Sequence, residues 1–172
     1  NGQITSNKIN VTFTQRGASA DLNGLYLIDK QQKSSTEVKV MHCSPDCTSR
    51  QLFKGIADDV SQADFQGHIF VDYGAKGTEA LQSSKNMQLT DKAKVNTQPF
   101  LEIYNDDVKC SHGATIGRLN EEEQFYMRSR GITLEDAKVL QMISFIAPVL
   151  EQIPEADREF LAIQFEDSIR KI

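Results

Sequence analysis

The sequence predicts a mostly β chain that ends in a helical appendage. Three observations carry this reading. From Val11 to Ala114, short runs of β-favouring residues alternate with turn residues, and clear helical periodicity is absent. After Asn120 the apolar residues recur at helical spacing, with capping residues and breakers between the runs. Finally, no two candidate strands are separated by a two-residue hairpin loop such as Asn-Gly. Many short strands on irregular spacing suit a sandwich, a barrel or a β-solenoid. The missing hairpin turns lean toward the solenoid. So do the amide and hydroxyl side chains near candidate strands (Gln51, Gln66, Gln82, Ser84, Asn96, Gln98), which stacked coils accept.

Candidate strands run in order over Val11–Thr14, Gly24–Ile28, Glu37–His42, Arg50–Ala57, Ala63–Val71, Ser84–Leu89, Lys94–Thr97, Pro99–Tyr104 and Val108–Ala114. Asp29–Gln32, Ser44–Asp46, Tyr73–Gly77 and Asn105–Asp107 supply turns between them. Thr78–Ser84 is ambiguous between helix and strand. Gly113–Gly117 lacks the Gly-Lys-Ser/Thr ending of a phosphate loop and reads as a tight exit from the sheet. In the last third, Asn120 caps a first helix, with Glu121, Glu122 and Glu123 at its positive end, Arg128 and Arg130 at its negative end, and Gly131 beyond. Thr133 starts a second, apolar helix, and Pro148 kinks or ends it. Pro154 opens a third in its first turn, with Leu161, Phe165, Ile169 and Ile172 as one stripe. The expected division is a β domain over 1–117 and a helical domain over 118–172. The first strand looks already under way at Val11, as in the C-terminal part of a longer β-structure.

Charge and composition narrow the function classes. The 172 residues carry a net charge of −5, which gives no support for nucleic-acid binding. No apolar run approaches the ~20 residues that span a bilayer, and the N-terminus lacks the apolar core of a signal peptide. No membrane partner is therefore expected. Three cysteines cannot form a complete internal disulfide framework, and reduced thiols in the cytoplasm are the simpler reading. There is no Gly-x-Ser-x-Gly elbow and no complete catalytic set, so the chain is not expected to be an enzyme.

The most informative stretch is Asp106–Thr115. On a strand, successive side chains alternate faces, so Cys110 and His112 share one. A soft sulfur and an imidazole nitrogen can offer two metal ligands, and two ligands do not close a site. An ordinary buried thiol and a hydrogen-bonded imidazole would have the same spacing. Asp106-Asp107 reads as a polar turn. Cys43-x-x-x-Cys47 is not a standard zinc spacing. His42 and Cys43, being adjacent, face opposite ways, and neither His42 nor His68 shows a partner in the sequence.

The run Pro99-Phe-Leu-Glu-Ile-Tyr-Asn-Asp-Asp-Val-Lys-Cys-Ser-His-Gly-Ala-Thr-Ile-Gly117, followed by Phe125-Tyr126 and Ser129–Ile132, resembles the SufB/SufD family of iron–sulfur cluster assembly proteins. Upstream, His42, Pro45, Ser49, Phe53-Lys54-Gly55 and Phe65-Gln66-Gly67 extend the resemblance over most of the chain. SufB-like chains tend to carry Glu-His-Glu where this one has Cys110-Ser111-His112-Gly113, so the resemblance is closer to SufD.

That resemblance implies a right-handed parallel β-helix followed by a small helical domain. It implies a scaffold subunit, without turnover of its own, on which an iron–sulfur cluster is held transiently and shared with a partner. His112 would help hold the cluster at the meeting of the two β-helices, with Cys110 as a secondary participant. Glu102 would either orient an imidazole or simply be solvated. A SufB-like subunit would bind through the β-helix, replaced by a second copy in isolation, and a SufC-like ATPase would bind the helices. Two other functions compete. One is a β-helix protein acting on carbohydrates, disfavoured by the lack of Trp and of clustered Tyr and Phe in the β region. The other is a plain metal-binding or dimerisation module.

Overall fold

The computed structural model describes residues 2–172. Eight strands precede three helices: β1 (Ile4–Phe13), β2 (Ser19–Ile28), β3 (Lys33–His42), β4 (Thr48–Ala57), β5 (Gln62–Val71), β6 (Thr78–Gln88), β7 (Lys94–Ile103), β8 (Val108–Gly117), α1 (Glu121–Arg128), α2 (Leu134–Leu150) and α3 (Glu155–Ile169). Odd strands form one four-stranded sheet and even strands another, in the orders β1-β3-β5-β7 and β2-β4-β6-β8. Every pairing is parallel. The chain therefore crosses between the sheets with each strand and climbs one rung per pair, giving a parallel β-solenoid of about four coils.

Register shows the repeat that the sequence hides. Ile4 pairs with Lys33, Lys33 with Gln62, and Gln62 with Lys94. Ser19 pairs with Thr48, Thr48 with Glu79, and Thr78 with Val108. Coils of slightly unequal length stack because the turns absorb the difference. Lys30 and Asp59 occupy equivalent turns and both adopt positive φ (50° and 52°). Across the other side, the Asp46 amide donates to the Lys76 carbonyl (2.8 Å) and the Gly77 amide to Asp107 (2.7 Å), so turn stacks on turn.

Alternation then fills the lumen. Phe13, Val38, Val40, Phe53 and Phe65 pack together from both sheets, and Ile69, Val71, Ala75 and Ala80 form a second cluster nearer the last coil. Fully burying a side chain of this size stabilises by about 1.5–3 kcal/mol. His42 is also fully buried here. Its Nε2 lies 2.9 Å from Ser49 Oγ, its ring stacks on Phe13, and burial pushes its pKa down to about 4.

The helices lie on the outer face of the even-strand sheet. Ile56 and Met87 join Val139, Met142, Ile146, Leu150 and Ile169 in one buried cluster, flanked by Leu25 and Leu27. The apolar surplus of the helices is thus buried partly against the solenoid, while Phe125, Tyr126, Leu140, Phe160 and Ile163 stay exposed. Asn120 Oδ1 accepts from the Glu122 and Glu123 amides, Thr133 caps α2, and Gly131 takes φ +87°.

Several local expectations are corrected. The strands are longer than the β-favouring runs, because the ladder holds polar residues that propensity alone would leave in loops. Thr78–Ser84 is strand, since Thr78, Ala80, Gln82 and Ser84 all turn inward and are buried. Lys94–Thr97 and Pro99–Tyr104 merge into β7, an edge strand, where proline's missing N–H is tolerated. Gly113–Gly117 stays in β8 instead of leaving the sheet. Pro148 sits inside α2, which continues to Leu150, and Pro154 is the cap of α3 rather than its first-turn residue.

Candidate functional site: the open end of the solenoid

The last coil is built from β7 and β8, each with a strand neighbour on one side only. Inward positions that are sealed in the two middle coils are therefore uncovered here. On β8 the register places Cys110 over Ala80 and His112 over Gln82, both of which are buried inward residues. Cys110 and His112 thus share the inward face, as their spacing requires. Their environments differ. Cys110 is half-buried against the Ile69–Val71–Ala75–Ala80 cluster, and burial pushes its thiol pKa up, partly opposed by a hydrogen bond with the Ala80 backbone. It is a thiol that favours its protonated form. His112 is exposed. Ile116, further along the same face, is 47% exposed. The end of the lumen is thus an apolar floor bearing one sulfur and one imidazole at its rim.

Other candidates fall elsewhere. Glu102 projects from the outer face of the odd-strand sheet. Its Oε2 lies 3.1 Å from His68 Nε2, and its Oε1 accepts from the Tyr104 hydroxyl at 2.7 Å. Glu102 thus does orient an imidazole, that of His68 and not that of His112, and His68 has the partner its sequence context did not show. Around it Phe70, Tyr73 and Tyr104 stack with ring centroids 4.9–5.7 Å apart. The β region therefore does cluster its aromatics, through residues brought together from β5, a turn and the end of β7. Asp106 and Asp107 occupy the turn before β8, where the Asp107 amide donates to Asn105 Oδ1. All three cysteines are free thiols; Cys47 is buried, with its Sγ 3.3 Å from the Gln15 carbonyl. Among the described residues, no three His, Cys, Asp or Glu side chains group as a metal site. Among the described residues no helix is long and apolar enough to cross a membrane.

Sequence reasoning named Gln51, Gln82 and Ser84 as side chains that stacked coils accept, but it missed how they bond and missed a second polar feature. Gln82 Nε2 donates to Gln51 Oε1 (2.8 Å) in the lumen, below the open end. Next to it, Tyr26, Asn86, Ser84 and Thr97 form a second hydrogen-bonded chain. The signal was the recurrence of Gln51, Gln82 and His112 about one coil apart. The other feature is Lys54, which is buried on the outer sheet face beneath α2.

The family model described as "SUF system FeS cluster assembly, SufBD core domain" matches residues 1–145. The chain belongs to the SufBD family. It is 36% identical over 154 residues to an iron–sulfur cluster assembly SufBD family protein of Synechocystis, covering 90% of this chain and 34% of that protein. It is 36% identical over 152 residues to the iron–sulfur cluster assembly protein SufD of Escherichia coli, covering 88% and 36%. The chloroplastic protein ABCI7 of Arabidopsis thaliana is 34% identical over 157 residues, with coverage of 91% and 33%. The chain spans about a third of the length of these relatives. Within the SufBD family it is SufD-like.

Proposed function

We propose that this chain is the part of a SufD-like scaffold subunit on which an iron–sulfur cluster is assembled, with His112 as its principal donor and Cys110 as a secondary one. The observation that carries the reading is the placement of both on the inward face of the uncapped last coil. Two donors leave iron short of ligands. An open edge with unpaired backbone groups invites another strand. A second subunit that docks on this end would both extend the sheets and complete the ligand set. A SufB-like subunit fits that place, and a second copy of this chain is its substitute in isolation. The segment 118–172 acts as a separate functional unit, whose exposed Phe125, Tyr126, Leu140 and Phe160 dock a SufC-like ATPase. The nucleotide chemistry belongs to that partner, and the cluster is cargo.

The test is cluster formation by a reconstituted complex with SufB-like and SufC-like subunits, comparing wild type with His112→Ala. A large loss of assembly, with unchanged thermal melts, is expected. Normal assembly would return His112 to a structural role at an interface.

A further inference from the structure

One coil below the open end lies an amide with half of its hydrogen bonding unused. Gln82 is only 3% exposed. Its Nε2 donates to Gln51 Oε1, but its own Oε1 has no partner among the described residues and is sealed from solvent. Folded proteins keep few such atoms, so each calls for an explanation. The side chain crosses the lumen to lie against Gly67 of β5, where any Cβ would collide with the amide. The glycine therefore makes the room that holds Gln82 in place.

Oε1 lies against the same glycine, 2.7 Å from where a Cβ would stand, so the whole amide is seated in the lumen. On the last coil the residue paired with Gln82 is His112. Gln51, Gln82 and His112 form one inward file across three adjacent strands about 4.8 Å apart. In the structure His112 is exposed and the oxygen has no partner among the described residues; an imidazole turned inward on this rung would bring an N–H toward it. Glu102, the carboxylate one segment upstream in the sequence, is already engaged by His68 and Tyr104 on the outer face.

We propose that Gln82 is a positioning residue for His112: its Oε1 accepts from one imidazole N–H, which fixes the tautomer and points the lone pair of the other ring nitrogen out of the open end. A histidine that donates to a metal commonly gives its second N–H to an oxygen acceptor, and that contact sets which nitrogen is free. In its functional consequence, the proposal rests on the reading of His112 as a cluster donor.

The test is the 15N spectrum of histidine-labelled protein at a pH where the imidazole is neutral, with the His112 signals identified by their loss in H112A. In the wild type one tautomer should dominate. Gln82→Met, which keeps length and loses the acceptor, should relax His112 toward the mixture of free imidazole. Gln82→Glu, which keeps the oxygen, should restore the bias. A wild-type His112 that already shows the free mixture overturns the proposal without any variant. So does a Gln82→Met spectrum that matches the wild type. In the reconstituted complex, Gln82→Met should slow cluster formation about 10-fold or more, and Gln82→Glu should recover it. Normal assembly by H112A would remove the cluster reading alone, because the tautomer measurement needs no cluster.

Discussion

Lys54 Nζ donates to the carbonyl of Phe145 at 2.5 Å and lies 4.7 Å from the centroid of the same residue's ring. Residues 91 positions apart are thereby joined across the seam between solenoid and helices. The ammonium is buried without an acidic partner among the described residues, and burial, followed by the nearby Lys85, lowers its pKa. A carbonyl and a ring face are its whole compensation.

Lys54→Ala should therefore destabilise the fold by about 2–3 kcal/mol, through lost packing of the stem and a lost charge-assisted bond. Lys54→Met keeps the stem and removes the cost of burying charge, so its effect should be smaller than that of alanine. Urea midpoints for the two variants check the order. If Lys54→Met is as damaging as Lys54→Ala, the hydrogen bond that both remove, rather than the packing of the stem, carries the contribution.

His42 gives an acid-sensitive contribution whose sign is fixed. Its folded pKa of about 4 lies below the ordinary 6.5, so between these values the unfolded chain binds more protons than the folded one. Stability is therefore lost as pH falls from 6.5 toward 4, by up to about 3 kcal/mol. His42→Leu should flatten the pH dependence of the urea midpoint over this interval, whatever it does to stability at pH 7. An unchanged slope would place the titration elsewhere.

Gly55 faces Tyr26 in the lumen so closely that an added Cβ would fall inside the phenol ring. Gly55→Ala should cost about 1–3 kcal/mol by overpacking. It should also disturb the bond from the Tyr26 hydroxyl to Asn86 Oδ1 (2.6 Å). A lower Tm with altered tyrosine fluorescence would show both effects, and a wild-type Tm would show that the coil yields.

The two proposed donors on β8 should separate in their costs. His112→Ala, at an exposed position, should change stability by about 0.5 kcal/mol or less. Cys110→Ser places a hydroxyl against the Ile69–Val71 cluster and should cost more, about 1 kcal/mol. The functional order should be the reverse, with the larger loss of cluster assembly at His112. Melts and assembly rates measured on the same preparations decide it.

The open end should also drive self-association. Sedimentation should show a dimer at high micromolar concentration, and Ile116→Lys, which puts a charge on the exposed apolar floor, should weaken it. A strict monomer for the wild type would count against an interface at this end.

The sequence carried the change from β to helix, the caps at Asn120 and Thr133, and the shared face of Cys110 and His112, because each depends on neighbours within a few positions. The coil repeat was not legible. It is set by pairing about 30 residues away, and turns of unequal length blur the period. For the same reason the sequence does not show which imidazole Glu102 orients: His68, its partner, lies 34 residues upstream. Stacking without sequence proximity likewise concealed the aromatic cluster at Tyr104 and the Gln51–Gln82 file.

A coil inside the stack is held by ladders on both sides, and the last coil by one. Amide exchange should therefore be faster on β7 and β8 than on β4 and β5, like a zipper that opens from its free tooth. His112 and Cys110 ride on that tooth. A docking subunit would close the zipper as well as complete the ligands, so the site would gain its rigidity at the moment it gains its partner. Iron arriving before assembly would meet two donors that still move.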